Sequence, residues 1–417
     1  MKKLLILLLA LSAVQLKAQD LELYKQVVKE LSSEKFQGRG YAMDGANQAG
    51  HYLKAEFEKA GVKEVILQPF TIDINTFPGK MDLSVDGRPL TPGVDFTMRE
   101  YSPGVKGTFP LYYVDTLNYN SEKIFQDLAK PENKDAFVVC DFMFSYRHRA
   151  DFSRLQKKDG APNAGILFTW DEPMKFYKAY GEKVVDKPII WVPHRFPRDA
   201  KSISADIENK FLKDFELFNV IAKIEGRDHS KCYVFTAHYD HLGNLGKDVF
   251  YAGANDNASG TAAVVTFAAF FAQRVPQYDM YFIAFSGEDA NLRGSTYFVE
   301  HPVVPLEQIK YLFNIDMIGD NNPVQYCEVS EEGMAGFELF EEINQEEHYF
   351  KALNRGALAA NSDHYPFAVR HVPCIFLENE EGDAFKYYHT IYDTYENAIF
   401  DSYPRVFRLV RDFIEAY

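Results

Sequence analysis

From Phe218 to the end of the chain, short apolar runs alternate with helix-length segments, and this rhythm narrows the choice of fold more than any other feature. The runs 231–237 (KCYVFTA), 280–285 (MYFIAF), 310–315 (KYLFNI) and 373–378 (PCIFLE) are short and rich in β-branched and aromatic residues, as strands are. Between and after them lie a helical pattern of small and apolar residues at 258–272, another near 337–344 and a closing one at 404–416. Strands buried on both faces read as continuous apolar runs. The pattern therefore predicts an α/β fold: a mainly parallel central sheet with helices on both faces.

Chemistry-bearing residues follow the strands. His238, Tyr239 and Asp240 come after the first, Glu288 and Asp289 after the second, Asp316 after the third, and His389 beyond the last. Open α/β sheets bind ligands at the carboxyl ends of their strands, so these residues are expected on one rim. The segment GANDNASG (253–260) puts Asp256 at the mouth of the following helix, within reach of the same rim. Taken singly, a histidine at a strand end is an ordinary surface or core residue, and a Glu-Asp pair is ordinarily solvated. Together, two imidazoles and several carboxylates repel one another strongly unless cations sit among them. Hard oxygen donors with imidazole suit Zn²⁺, Mn²⁺ or Co²⁺ better than Ca²⁺ or Cu⁺. Asp240 lies two residues beyond His238, so on an extended strand both side chains project to one side, and the carboxylate is expected to orient the imidazole.

Other catalytic templates are missing from the sequence. It has no HExxH, no GxSxG, no GxxxxGK[ST] and no GxGxxG. Ser362-Asp363-His364 has the composition of a triad, but sequence neighbours rarely form one, and it is read as a loop flanking the metal site.

The rest of the chain is organised differently. Lys2 and Lys3 precede an apolar run at 4–11 and a softer stretch to Leu16, with Ala18 at a cleavage position; residues 1–18 read as a signal peptide, and an exported, periplasmic or extracellular protein is expected. No other segment approaches a membrane span. Helical spacing recurs at Leu21, Tyr24, Val27, Val28 and Leu31, and again over 46–60, with Gly38, Arg39 and Gly40 in the connection. Residues 19–95 are assigned to the N-terminal part of the catalytic domain and 216–417 to its main part. Between them, 96–215 is read as a smaller β-rich insert, with strands at 137–142, 165–168 and 188–193 and a helix near 152–158. With 45 Lys+Arg against 60 Asp+Glu, the net charge of −15 argues against a nucleic-acid partner. The four cysteines are scattered singly and read as small buried hydrophobes, with one disulfide open as an alternative.

The motifs AHYDHLG (237–243), GANDNASG (253–260), SGEDANLRGS (286–295), NIDMIG (314–319), SDHYPF (362–367) and YHTIYDT (388–394) occur in the order typical of one family. Over residues 21–95 and 215–417 the sequence resembles the secreted zinc aminopeptidases of the leucyl aminopeptidase type. Their wider family includes glutamate carboxypeptidases, glutaminyl cyclases and the transferrin receptor ectodomain. The insert is similar to a protease-associated domain, which in the family is non-catalytic. The resemblance implies that His238, Asp256 and Asp316 hold one zinc, that Asp256, Asp289 and His389 hold a second, and that Glu288 is the general base. It also implies a cis bond between Asp256 and Asn257. Peptide or aminoacyl substrates with a free N-terminus follow from the same resemblance. Two departures stand out. The usual Glu-Glu pair is Glu288-Asp289, which leaves one zinc as an alternative to two. The aromatic hydroxyl that precedes the SDH element in some relatives is replaced by Ala359-Ala360-Asn361, with Tyr251 and His364 as candidate substitutes. A glutaminyl-peptide cyclotransferase and a catalytically silent binding protein are the competing readings. The sequence does not give the oligomeric state.

Overall fold

The computed structural model describes residues 20–176, 181–379 and 381–417; the signal peptide expected at 1–18 lies outside them. Among the described residues the larger sheet has eight strands. Their order is Glu64–Thr76, Lys210–Ile224, Tyr278–Phe285, Asp228–His238, Ile309–Asp316, Cys374–Glu378, Val324–Val329 and Ala352–Arg355. The four middle strands, from Tyr278–Phe285 to Cys374–Glu378, run parallel. They are the four apolar runs of the sequence. Antiparallel pairing joins the long Lys210–Ile224 strand to Tyr278–Phe285 on one side, and Val324–Val329 to Cys374–Glu378 on the other. The sheet is thus mixed, with a parallel centre.

Both faces of that centre are covered, as continuous apolar strands require. Along Asp228–His238, Tyr233, Phe235 and Ala237 enter one buried cluster, whereas Cys232 and Val234 enter another. On the first face lie the helices Gly260–Ala272, Leu21–Leu31 and Tyr403–Ala416; on the second, Arg293–Glu300 and Tyr365–Ala368 contribute Phe298 and Phe367. Gly260–Ala272 is apolar nearly all round because it is sandwiched: Phe267 packs 4.9 Å from Phe235 of the sheet and 4.6 Å from Phe407 of the closing helix. Truncating such a ring to alanine costs about 3–5 kcal/mol. In Leu21–Leu31 the buried residues Tyr24, Val27, Val28 and Leu31 repeat at helical spacing, and Asp20 caps the helix by accepting from Leu23 N at 2.9 Å.

A second eight-stranded sheet runs Arg88–Leu90, Met81–Val85, Ser202–Ile207, Val105–Tyr113, Phe137–Asp141, Gly165–Trp170, Ile189–Pro193 and Thr97–Met98. Val138, Ile166, Ile189 and Trp191 pack there against Phe152 and Leu155 of the helix Arg149–Leu155. This sheet begins at Met81, so 81–90 pair with it although the sequence reading placed them with the preceding segment. Period-two alternation is the same whichever sheet a strand joins, and the pairing of Met81–Val85 with Ser202–Ile207 is set by residues far along the chain. All four cysteines are buried free thiols. No helix among the described residues is long and apolar enough to cross a membrane.

Candidate metal centre

The strand ends converge as the parallel topology dictates. His238 and Asp316 are the last residues of their strands, and Glu288 and Asp289 stand in the turn after Tyr278–Phe285. Asp256 lies in the irregular turn Ala254–Ser259 that leads into Gly260–Ala272, and its peptide bond to Asn257 is cis. Asn257 fastens that turn: its side chain donates to Ile315 O and accepts from Gly260 N and Met317 N. His389 arrives from a loop near the C-terminus with φ of 60°.

Asp256 faces both imidazoles. Its Oδ1 lies 3.4 Å from His238 Nε2 and its Oδ2 lies 3.1 Å from His389 Nε2. Asp316 Oδ2 completes the first group at 3.4 Å from His238 Nε2, and Asp289 Oδ1 lies 3.9 Å from His389 Nε2. Donors held about 2.0–2.2 Å from one tetrahedral ion stand roughly 3.3–3.6 Å apart, so the first group has the spacing of a zinc shell. His238, Asp256 and Asp316 are all buried, and Asp316 Oδ1 has no hydrogen-bond partner. The second group is looser. His238, Glu288 and Asp289 form a further cluster with metal-ligand spacing.

Electrostatics mark the cluster as short of positive charge. Burial pushes Glu288 well above the usual carboxylate range, and the nearby Asp289, Asp363 and Asp316 push it further. Burial likewise raises Asp240 to about 6 and Asp363 to about 7. Burial opposes a charged His238, but Asp316, Glu288 and Asp256 outweigh it and hold the imidazole well above its ordinary pKa.

Asp240 sits beside His238, but not as the strand argument expected. The strand ends at His238, and the imidazole Nδ1 is closer to the Asp240 backbone carbonyl, at 3.2 Å, than to its carboxylate, at 3.9 Å. The carboxylate instead accepts from Tyr41 Oη at 2.6 Å and from Glu288 N at 3.2 Å, tying the Glu288 turn to the His238 strand. Ser362 flanks the site by donating to Asp316 Oδ2 at 2.8 Å, while His364 turns away to Glu328. The tripeptide is therefore no triad.

Several residues escaped the sequence reading. Arg39, fully buried, donates to the carbonyls of Leu31, Tyr239, Ala252, Gly253 and Asp256. Asp393 accepts from the backbone N–H groups of Asn255 and Asp256. His241 stands 3.1 Å from Asp289 Oδ2. Its place in AHYDHLG, three residues after His238, was the available signal. Tyr388 stacks on His389 at 3.7 Å and borders the cavity, whereas neither proposed substitute hydroxyl or imidazole does: Tyr251 is buried against Phe176 and His364 is paired with Glu328. The cavity measures about 340 Å³ and carries Leu292, Met317, Phe376 and Phe385 on its apolar side. From the second sheet's side, Phe176 N donates to His389 O at 3.0 Å.

A rim of carboxylates and imidazoles at the parallel strand ends of a doubly covered sheet defines a candidate metal centre. Residues 219–414 match the model of Peptidase family M28, and this segment belongs to that family. An aminopeptidase of Pseudomonas aeruginosa is 27% identical over 317 residues, covering 71% of this chain and 57% of that protein. A probable zinc metalloprotease of Pyrenophora tritici-repentis is 36% identical over 106 residues, 25% of this chain and 22% of that protein. The chain thus spans less than two thirds of the length of these curated relatives. The solved structure of a zinc aminopeptidase from Bacillus subtilis shares the fold, with a TM-score of 0.72 at 18% identity over 96% of this chain and 95% of that one.

Proposed function

We propose that the chain is an exported zinc-dependent aminopeptidase that removes the N-terminal residue from peptide or aminoacyl substrates. The observation that carries this reading is Asp256, whose two oxygens face two different imidazoles, His238 and His389. In the proposal His238, Asp256 and Asp316 hold one zinc and Asp256, Asp289 and His389 a second, with residues 96–215 as a non-catalytic insert. When bound, zinc lowers the pKa of water and polarises a carbonyl.

The chain's own residues supply the rest. Glu288 borders the cavity beside the ligands, and its raised pKa suits a group that takes a proton from the attacking water and passes it to the leaving amine. Burial beside carboxylates keeps the Tyr388 hydroxyl protonated, so it can donate to the developing oxyanion. Asp240 holds the Glu288 backbone through its N–H. The carboxylates at the rim give a substrate's free ammonium group a favourable seat, which restricts cleavage to the chain end. Leu292, Met317, Phe376 and Phe385 offer the first side chain an apolar surface.

Zinc analysis of the purified protein, with a panel of aminoacyl amides assayed with and without chelator, tests the reading. Two ions per chain and chelator-sensitive release of the first residue are expected; a metal-free protein that recruits no zinc, or cyclisation of glutaminyl substrates without hydrolysis, would contradict it.

A further inference from the structure

His241 does not border the cavity, yet its ring is fully buried behind two of the carboxylates that do. Its Nδ1 stands 3.1 Å from Asp289 Oδ2 and 3.7 Å from Asp256 Oδ2. Among the described residues no other group donates a hydrogen bond to the Asp289 carboxylate. The ring's seat is built for it: the His241 N–H donates to Arg39 O at 3.2 Å, and a Cβ on Gly253 would lie 2.5 Å from the ring Cδ2. Gly253 also has φ of +59°, so a side chain there is disfavoured twice.

The two oxygens of Asp289 are divided between two histidines. Oδ2 faces His241, while Oδ1 points toward His389 Nε2 at 3.9 Å. An aspartate has a short reach, so where its free oxygen stands depends on the backbone and on whatever grips the other oxygen. We propose that His241 is a positioning residue: it donates from Nδ1 to Asp289 Oδ2 and thereby aims Oδ1 at the second ion, while the imidazole itself stays off the metal. This inference rests on the two-ion reading above. The same tautomer leaves His241 Nε2 as a bare acceptor, which fits its lack of any partner.

The test is a zinc titration of the metal-free full-length protein against a competing chelator, for the wild type, His241→Phe and His241→Asn. The melting temperature of each metal-free form is measured alongside. An asparagine keeps an N–H donor near the position of Nδ1; a phenylalanine keeps the ring and loses the donor. Removing a hydrogen bond to a ligand typically weakens a metal site by about 10- to 100-fold. The expected result is a loss of that size at one of two sites in the Phe variant, an unchanged second site, and affinities in the Asn variant close to wild type. A Phe variant with both affinities unchanged overturns the inference. So does equal weakening of both sites accompanied by a lower melting temperature in both variants, which would mark a packing defect. A wild type that binds one ion overturns the clamp together with the two-ion count but leaves a zinc site standing; a wild type that binds none overturns the metal reading as well.

Discussion

Arg39 Nη2 donates to the backbone carbonyl of Asp256 at 3.1 Å, linking a buried guanidinium near the N-terminus to the residue that faces both histidines. Four other carbonyls accept from the same side chain. Burial lowers the Arg39 pKa to about 10, with Asp256 and Asp393 opposing, so the group stays charged at neutral pH. It supplies donors to a turn that has no regular ladder of its own. Replacing it with methionine leaves several buried carbonyls unpaired, and each such group costs about 1–3 kcal/mol. Arg39→Met is expected to lose at least about 3 kcal/mol in urea unfolding of the metal-free protein. A loss under about 1 kcal/mol would mean that the turn stands without it.

Glu288→Gln removes the proposed base and retains the shape. Its backbone N–H still reaches Asp240, so the fold and the metal complement should persist. The turnover number is expected to fall by about 10²–10⁴-fold, the usual contribution of general base catalysis. Unchanged turnover would assign proton transfer to another group.

Tyr388→Phe separates the proposed oxyanion support from metal binding. The ring can still stack on His389, so zinc affinity should hold while turnover drops by about 10²-fold. Loss of zinc with no separate fall in turnover would identify the tyrosine as support for His389 alone.

In the metal-free protein, stability should fall as pH rises from about 4 to 7. Burial raises Asp240 and Asp393 to about 6 and Asp363 to about 7, against about 3.9 in an unfolded chain. Across that window the folded state binds more protons than the unfolded state, and stability declines with pH. His238, also raised, adds stability below its unfolded pKa of about 6.5 and loses it at higher pH, with the same sign. Asp256 is lowered, against the effect of burial, by His241, His238 and His389; its contribution is lost only below about pH 4. Melting temperatures at pH 5 and 7 check this, and added zinc should raise the value more at pH 7, where fewer protons compete. A higher metal-free melting temperature at pH 7 would contradict it.

What the sequence disclosed follows from which contacts are local. The four central strands were legible because burial on both faces leaves continuous apolar runs, and the metal-ligand candidates were legible because strand ends of a parallel sheet share one rim. Arg39, Asp393 and Tyr41 were not. Their partners lie up to 217 residues away, and neither spacing nor composition marks an arginine that will bond backbone carbonyls rather than a carboxylate. An orienting role for the Asp240 carboxylate presumes a strand that continues past His238. The chain leaves the sheet there and presents the backbone carbonyl instead. That residues 81–90 join the second sheet was not legible either, since pairing is a long-range property.

The most direct measurement compares a leucyl peptide carrying a free N-terminus with its N-acetylated form, each incubated with the zinc-loaded protein and followed by mass spectrometry. Release of leucine from the free peptide alone, abolished by chelator and restored by zinc, is the expected result. Equal cleavage of the acetylated peptide, or no cleavage of either by a protein shown to hold its zinc, would contradict the proposed aminopeptidase activity.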